Sequence, residues 1–309
     1  MCFTRIYSHH YYIPLQKQQL NRYMTMKKII LLALTIITVT TVWSCAKSNG
    51  NIPSNDGNMV MDSTLCQFNN IDAEKMFTYV NDEGDTMYFD NTFSAFWPQV
   101  INGKPCPELQ QALFRAMTDS AGLNQLDKVI DFLLNPANYT EIESDKLIPA
   151  NSIKDDEGKL SSSEVSVIME SMTDRLLIYH LGTSSYMAGA AHGIYANNYV
   201  TYDLKNEKAV AFEDVIADTT LLRTAILKSI KQTYDYDKDD LFLPDNGLLP
   251  LPRDFHIDGQ VFHAVYQVYE IASYAQGAID APIYPYMLKP EEMKRLFTPY
   301  GLELIDYTE

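Results

Sequence analysis

Residues 26–45 constrain this chain more than any other segment, because they decide which part of it folds and where. Lys27 and Lys28 give a short cationic start, and an apolar run of 14 residues follows from Ile29 to Val42. A helix that spans a bilayer needs about 20 apolar residues. The run therefore fits a secretory signal better than a membrane span. The chain after residue 44 is then the part that folds, outside the cytoplasm.

The end of the apolar run indicates how the new amino terminus is treated. Ser44 is small and Cys45 follows it directly, so the segment resembles the signal of a bacterial lipoprotein. The resemblance implies lipidation of Cys45 and a place in the bacterial cell envelope, anchored in the outer membrane and facing the periplasm. Residues 1–23 precede the cationic start and are interpreted as a wrongly assigned translation start, with a disordered leader as the alternative.

Charge limits the partners of the mature chain. Residues 1–44 carry five cations and no acidic residue, so the chain after residue 44 has 19 Lys and Arg residues against 40 Asp and Glu residues, a net charge of −21. Such a surface repels phosphate backbones, and no nucleic-acid partner is expected. It attracts cationic proteins at a rate that falls with salt. The alternative is that the acidic residues only keep the protein soluble.

Two cysteines, Cys66 and Cys106, remain in the mature chain once Cys45 is acylated. An extracytoplasmic compartment permits disulfides, and two thiols allow one intramolecular pairing. Cys66 and Cys106 are therefore a candidate disulfide, with two buried thiols as the alternative. Neither lies in a Cys-x-x-Cys motif, so redox catalysis is not expected.

Composition and pattern divide the chain into four segments. Residues 1–44 are the upstream leader and signal peptide. Residues 45–62, rich in Asn, Ser, Gly and Pro, follow as the lipidated cysteine and a flexible tether. Residues 63–160 are predicted to form a small N-terminal α+β domain, and residues 161–309 a C-terminal α+β domain.

Hydrophobic periodicity predicts the elements of these two domains. Leu109, Leu113 and Met117 recur every four residues and predict a helix after Pro107. Further helices are predicted at 123–134, after a cap at Asp218, and from Pro290, and residues 140–163 are predicted to be a connection. Alternation predicts strands at 165–169, 177–181, 199–202 and 261–269. The predicted class is α+β, with largely antiparallel sheets, packed helices and two intimately associated subdomains.

The first cluster of candidate binding residues is Ser184–Gly193. Its small residues allow close approach of the backbone, and its glycines permit positive φ angles. Such a loop would present Tyr186 and His192 to a ligand. The alternative is a tight structural connection in which His192 is hydrogen-bonded to the backbone.

The second cluster is Tyr269–Gly277, which follows a strongly alternating strand. Glu270 stands beside Tyr269, with Tyr274 close by, and a carboxylate there would serve as a general base or a ligand contact. The alternative is structural, because such a carboxylate also accepts backbone N–H groups and locks a turn.

These clusters and the strands around them carry a family resemblance. The matching pieces are Gly189–Gly193, Tyr199–Leu204, Phe255–Tyr266 and Tyr269–Gly277. The segment that contains them, about residues 164–306, resembles the extracytoplasmic domain of the lysozyme-sensing anti-sigma factor of Gram-positive bacteria. A similar domain stands beside the catalytic domain of some peptidoglycan deacetylases. Phe96–Val100 and the helix after it resemble the small domain that usually precedes it.

The resemblance implies an extracytoplasmic module that in one context is a receptor for lysozyme. We expect the module alone on its lipid anchor, without sigma-binding or deacetylase parts. The expected function is non-enzymatic recognition of a lysozyme-like protein or of peptidoglycan. The alternative is a cell-wall-modifying hydrolase that uses Glu270 and His192 as acid–base residues.

No cofactor, metal or catalytic residue is predicted. The four downstream histidines lack His-Glu-x-x-His spacing and a nearby cysteine pair, which are the patterns of zinc sites; they are His180, His192, His256 and His263. No Gly-x-Ser-x-Gly elbow or phosphate-binding glycine loop occurs in the sequence. The expected partners are the membrane, through the lipid on Cys45, and a cationic protein or peptidoglycan.

Overall fold

The computed structural model describes residues 65–118, 122–153 and 158–307, which belong to one compact unit, Asn58–Glu309. The strands in these ranges are β1 (Gln67–Val80), β2 (Thr86–Ile101), β3 (Lys104–Pro105), β4 (Ile148–Ala150), β5 (Leu160–Met172), β6 (Leu176–Tyr186), β7 (Ile194–Asp203), β8 (Lys208–Ala209), β9 (Asp254–Asp258), β10 (Val261–Tyr266) and β11 (Ile279–Ile283). The helices are α1 (Pro107–Thr118), α2 (Leu126–Leu133), α3 (Phe212–Val215), α4 (Thr219–Tyr234), α5 (Pro290–Leu296) and α6 (Pro299–Leu304).

Eight of the described strands form one sheet in the order β4-β1-β2-β5-β6-β7-β8, with β3 paired to β2. The pairs are antiparallel, except that β2 and β5 run parallel. The other three strands form an antiparallel sheet in the order β11-β10-β9. The prediction of an α+β fold with largely antiparallel sheets is confirmed.

The long hairpin of β1 and β2 was not predicted, and the prediction of a connection at residues 140–163 missed two short pieces of strand. That segment contains β4, which pairs with Met76–Thr78, and the first residues of β5. β4 has only three residues, too few to show a period. β1 alternates mostly between exposed and half-buried positions, so it lacks the apolar alternation from which strands are predicted.

The first core lies between the large sheet and the helices α1 and α2. Leu109 and Leu113 of α1 have no exposed surface, as the four-residue spacing predicts. They pack with Trp97, Val167 and Tyr179, which are also buried. Burial of each large apolar side chain contributes about 1.5–3 kcal/mol. This core therefore joins strands from both sides of the predicted domain boundary at residue 160.

The second core lies between the small sheet and α4. Leu222, Ile226 and Ile230 are fully buried against strand residues that include Phe262. The helix begins after Asp218, whose carboxylate accepts a 2.8 Å hydrogen bond from the N–H of Leu221. The predicted helix and its predicted cap are both confirmed.

The strand β7 links the large sheet to the small one. The N–H of Tyr199 donates to the carboxylate of Asp254 in β9, at 3.0 and 3.1 Å from its two oxygens. The ring of Tyr199 stacks on the ring of His256 with centroids 4.2 Å apart. At the end of β7, Asp203 accepts hydrogen bonds from Arg175 and from Tyr300 of α6.

The predicted signal and tether, with Cys45, lie outside the described residues. Within the ranges that the structure describes, no helix has both the length and the apolar character needed to cross a membrane.

Candidate binding site

The first candidate cluster forms the tight connection between β6 and β7. Ser185 pairs with Ile194 across the two strands. Gly189 in the loop has φ +81°, and a Cβ atom at Gly193 would lie 2.8 Å from the carbonyl oxygen of Ser185. Glycine is therefore needed at one position for its conformation and at the other for space.

His192 is exposed at the end of this loop, and both of its ring nitrogens have partners. Nδ1 lies 2.8 Å from the carbonyl oxygen of Gly193, which can only accept, so Nδ1 carries the proton. Nε2 lies 3.2 Å from the hydroxyl of Tyr269, which can donate a hydrogen bond to it. The backbone hydrogen bond of the structural alternative is present, and the ring is also displayed at the surface.

The second candidate cluster follows β10 as a closed turn. The N–H of Gln267 donates to Oε2 of Glu270 at 2.9 Å, and the N–H of Glu270 donates to the carbonyl oxygen of Gln267 at 3.1 Å. Tyr269 between them has φ +66°, which is uncommon for a side chain of its size. Its residue surface is 48% exposed, so the turn holds Tyr269 outward.

The side chain of Gln267 joins this turn to β7. Its Oε1 accepts from the N–H of Asn197 at 2.8 Å, and its Nε2 donates to the carbonyl oxygen of Asn197 at 2.6 Å. These two hydrogen bonds fix the position of the second turn relative to β7, the strand that follows the first loop. The two clusters are therefore fixed beside each other.

Four rings from the two clusters form one surface, which we call the aromatic patch: His192, Tyr195, Tyr269 and Tyr274. His192 stacks on Tyr274 with centroids 4.0 Å apart and planes 22° apart. Tyr269 lies 5.6 Å from Tyr274 and 6.4 Å from His192. Tyr195 meets the edge of Tyr274 at 6.1 Å. The rings support one another, so the patch is held in shape before any ligand arrives.

Sequence reasoning did not select Tyr195. Its hydroxyl accepts from the N–H of Ala278 at 3.2 Å, and a Cβ atom at Gly277 would lie 3.2 Å from that hydroxyl. Tyr195 thus braces the end of the second turn from the side of β7. Its position two residues after the first cluster was the only signal in the sequence.

Tyr186 and Glu270 lie apart from the patch. Tyr186 ends β6 and is 36% exposed, but no ring contact joins it to the patch among the described residues. The side chain of Glu270 is 15% exposed and lies 3.9 Å from Nε of Arg253. Burial raises the pKa of Glu270, although the N–H of Gln267 and the charge of Arg253 oppose that rise. These contacts are those of the structural alternative, in which Glu270 locks the turn.

A separate cleft of about 280 Å³ lies between α1, β7 and β9, and none of the aromatic patch lines it. Its walls include Arg115, Tyr199, Arg253 and Asp254. Burial raises the pKa of Asp254 to about 7, against the lowering effect of the backbone N–H groups of Tyr199 and Phe255. Neither His192 nor Glu270 reaches this cleft.

The two cysteines of the candidate disulfide are both buried in the first core, and both are free thiols in the structure. Cys66 precedes β1 and Cys106 follows β3, at the same end of the large sheet. Burial raises the pKa of the Cys106 thiol to about 11, with a smaller contribution from the nearby Cys66.

No protein-family model and no curated protein sequence matches this chain. Solved structures do resemble it. One is a member of the DUF3298 family from Bacteroides fragilis, with a TM-score of 0.53 and 17% sequence identity; the match covers 79% of this chain and 99% of the other. Another is a DUF3298 family protein from Pseudomonas aeruginosa, with a TM-score of 0.48, 14% identity and coverage of 75% and 95%. At this identity the first likeness shows a shared α+β fold.

Proposed function

We propose that this protein is a non-enzymatic, lipid-anchored binding protein of the bacterial cell envelope whose aromatic patch recognises a lysozyme-like protein. The observation that carries the proposal is the stack of His192 on Tyr274 beside the half-exposed Tyr269. Tyrosine is enriched among the side chains that dominate binding energy at protein interfaces. Because the rings are already ordered, less conformational entropy is lost when a partner binds.

Charge supports a cationic partner. The chain after residue 44 has a net charge of −21, and lysozymes are often cationic. Complementary charge speeds encounter and fixes orientation more than it adds affinity, and its effect falls with salt. The aromatic patch would then supply the contacts that hold the complex together.

Peptidoglycan is the second candidate ligand, and one observation favours it. The aromatic patch is open and presents the hydroxyl-bearing ring of Tyr269 beside the stacked His192 and Tyr274. Flat rings with polar tips pack against sugar faces and bond to their hydroxyl groups. Charge plays a smaller part in such recognition, so the salt dependence separates the two ligands.

The contacts of the two acid–base candidates favour binding over hydrolysis. Glu270 is engaged by Gln267 and Arg253, whereas His192 is engaged by Gly193 and Tyr269. Acid–base catalysis needs both groups within hydrogen-bond reach of one substrate. No hydrogen bond or ion pair joins these two side chains in the part of the chain that the structure describes.

The lipid anchor rests on the signal-like segment that ends at Ser44 and Cys45. If Cys45 is lipidated, cells grown with a radiolabelled fatty acid should incorporate the label into the wild-type protein and not into the Cys45→Ala variant. A soluble, unlabelled wild-type protein would overturn the anchor and leave the binding proposal standing.

Binding is tested with the full-length chain in detergent, against a cationic c-type lysozyme by biolayer interferometry and against purified sacculi by co-sedimentation, at low and high salt. We expect Tyr269→Ala and Tyr274→Ala to weaken binding about thirtyfold, the equivalent of about 2 kcal/mol for a dominant contact. Tyr286→Ala is the matched control, because Tyr286 is 80% exposed and stacks on Tyr284, outside the aromatic patch.

Each result has one meaning. Salt-sensitive capture of lysozyme that the patch variants lose supports the first ligand, and salt-tolerant retention on sacculi that they lose supports the second. Absence of binding to both at low salt overturns the proposal. Binding that Tyr269→Ala, Tyr274→Ala and Tyr286→Ala all leave intact overturns the assignment to the aromatic patch.

A further inference from the structure

The small sheet brings two histidines and an aspartate to one face. His256 of β9 is directly opposite His263 of β10. Asp280 of β11 is opposite Val265, two residues from His263, which makes it the diagonal neighbour of that histidine. Residues two apart on a strand share a face, and diagonal neighbours are within reach of long side chains.

The polar atoms of the three side chains converge. Nδ1 of His263 lies 2.9 and 3.0 Å from the two carboxylate oxygens of Asp280. Nε2 of His256 lies 3.9 Å from Oδ2 of Asp280. One ligand atom from each residue, taken together, fits within a mutual separation of 4.8 Å. Spacing along the chain gave no sign of this group, because its members come from three strands.

His256 is the least satisfied member of the group. Its residue surface is 5% exposed, and neither ring nitrogen has a hydrogen-bond partner. Buried polar atoms without partners cost free energy and are rare in native proteins. The ring is held by stacking between Tyr199, at 4.2 Å, and His263, also at 4.2 Å. An ion bound between His256 and Asp280 would give one of these nitrogens its partner.

We propose that His256, His263 and Asp280 bind a divalent transition-metal ion, with Zn²⁺ as the best fit. Two imidazoles and one carboxylate form a donor set that zinc accepts, with bonds of about 2.0–2.2 Å. Hard ions such as Mg²⁺ and Ca²⁺ prefer oxygen ligands instead. Asp280 has a side chain that is 45% exposed, so solvent reaches the group and a water molecule completes the tetrahedron.

Binding requires a small movement of the imidazoles. The rings of His256 and His263 are stacked with planes 14° apart, whereas the lone pairs of two ligands must point at one ion. Ligand atoms around tetrahedral zinc are about 3.3 Å apart, as its bond lengths dictate. The aromatic χ2 torsion is soft, so one ring can turn. As it turns, the proton on Nδ1 of His263 is exchanged through solvent for one on Nε2, so that Nδ1 has a free lone pair with which to coordinate the ion.

The aspartate is already held in place for this role. The hydroxyl of Tyr234 in α4 donates to the carbonyl oxygen of Asp280 at 2.9 Å and accepts from its N–H at 3.0 Å. The backbone of Asp280 is thus fixed from the core side of the sheet, while its carboxylate faces the two histidines. Such outer contacts orient metal ligands and support affinity.

The test uses the full-length chain, stripped with a chelator and titrated with Zn²⁺ in competition with a chromophoric chelator. We expect one zinc ion to bind per chain, with an affinity that depends on all three proposed ligands. His263→Ala and Asp280→Asn should each weaken zinc binding by at least about tenfold, the lower limit seen even for outer-shell residues. Co²⁺ in place of Zn²⁺ should give the strong visible absorption of a four-coordinate ion, and both variants should lose it.

Asp258→Asn is the matched control, because Asp258 is an exposed aspartate of the same sheet whose carboxylate lies by Ser171. It should bind zinc as the wild type does. Circular dichroism of the zinc-free variants shows that they are folded, and zinc should raise the melting temperature of the wild type and of Asp258→Asn only. Absence of zinc binding by the wild type, or equal binding by His263→Ala and Asp280→Asn, overturns the proposal.

Discussion

The hydroxyl of Tyr300 donates a 2.7 Å hydrogen bond to Oδ2 of Asp203, a carboxylate with no exposed surface. The same oxygen accepts from Nη2 of Arg175 at 3.0 Å, and the backbone N–H groups of Lys205 and Asn206 donate to Oδ1. A buried charge is stable only when it is paired and hydrogen-bonded. Asp203 meets that condition and fastens α6 to the end of β7.

Asp203→Asn is expected to destabilise the protein by about 1.5–3 kcal/mol at pH 7, because it removes the buried negative charge to which Tyr300 and Arg175 donate. Arg175 keeps its second ion pair, with Glu303 at 2.8 Å. Burial alone raises the pKa of Asp203, but Tyr300, the two N–H groups and Arg175 hold it below its ordinary range. Its contribution is therefore present above the unfolded pKa of about 3.9 and is lost as the pH falls through the folded value. Urea unfolding from pH 7 to pH 3 should show the gap between wild type and variant closing; a gap independent of pH would contradict this.

Near neutral pH, Glu270→Gln should stabilise the protein and Glu270→Ala should destabilise it. Glutamine still accepts from the N–H of Gln267 and carries no buried charge, whereas alanine loses the bond and costs about 1–2 kcal/mol. Burial raises the pKa of Glu270 in the folded protein. The contribution of Glu270 to the free energy of unfolding is therefore fully present below its unfolded pKa and is lost as the pH rises through its folded pKa. In thermal melts, the melting temperature of Glu270→Gln should therefore rise relative to that of the wild type as the pH increases from about 4 to about 7. A loss for both variants at every pH would refute this role.

Gly193→Ala should disturb the aromatic patch at its base. Its Cβ atom would lie 2.8 Å from the carbonyl oxygen of Ser185, and backbone must shift to relieve an overpacked contact, at about 1–3 kcal/mol. The control is Gly189→Ala, which meets no atom within 4 Å and pays only for its left-handed φ, roughly 1–2 kcal/mol. Both are compared by urea unfolding and by ligand binding; Gly193→Ala should lose binding while still folded, and Gly189→Ala should keep it.

The buried thiols predict a labelling pattern. Cys106 is buried with a pKa raised to about 11, and the thiolate is the reactive form, so iodoacetamide at pH 8 should leave Cys106 unmodified in the native protein. Peptide mapping after denaturation separates the two alternatives for this pair. Free Cys66 and Cys106 both become labelled in denaturant alone, whereas a disulfide requires a reductant first.

The helices were predictable because their patterns are local. Leu109 and Leu113, and Leu222 with Ile226, mark faces that the structure buries, and Asp218 caps its helix as its residue type suggests. The strand β1 was not predictable from the same signal, since the position of its partner β2 decides which of its residues are covered. Hydrophobic periodicity therefore predicts the buried face of an element only where the sequence of that element alone determines which residues are covered.

The candidate site likewise contains residues that the sequence identified and contacts that it could not predict. Loops rich in glycine and tyrosine identified His192, Tyr269 and Tyr274, which the structure brings together. The sequence could not decide whether Glu270 points to a ligand or to its own turn, because that depends on one hydrogen bond to Gln267. It also could not bring His256 beside His263, since that contact follows from strand register rather than from spacing.

The parallel pairing of β2 with β5 has a consequence for how this chain can be cut. Removal of residues 63–160 would expose the side of β5 that pairs with β2, along Ser161–Val167, and an uncovered strand edge favours pairing with another molecule. A truncated C-terminal half would be prone to fibril-like self-association even though its second core is intact. The hairpin of β1 and β2 thus covers an edge that the second half would otherwise expose, so a fusion protein that preserves the fold has to include both halves.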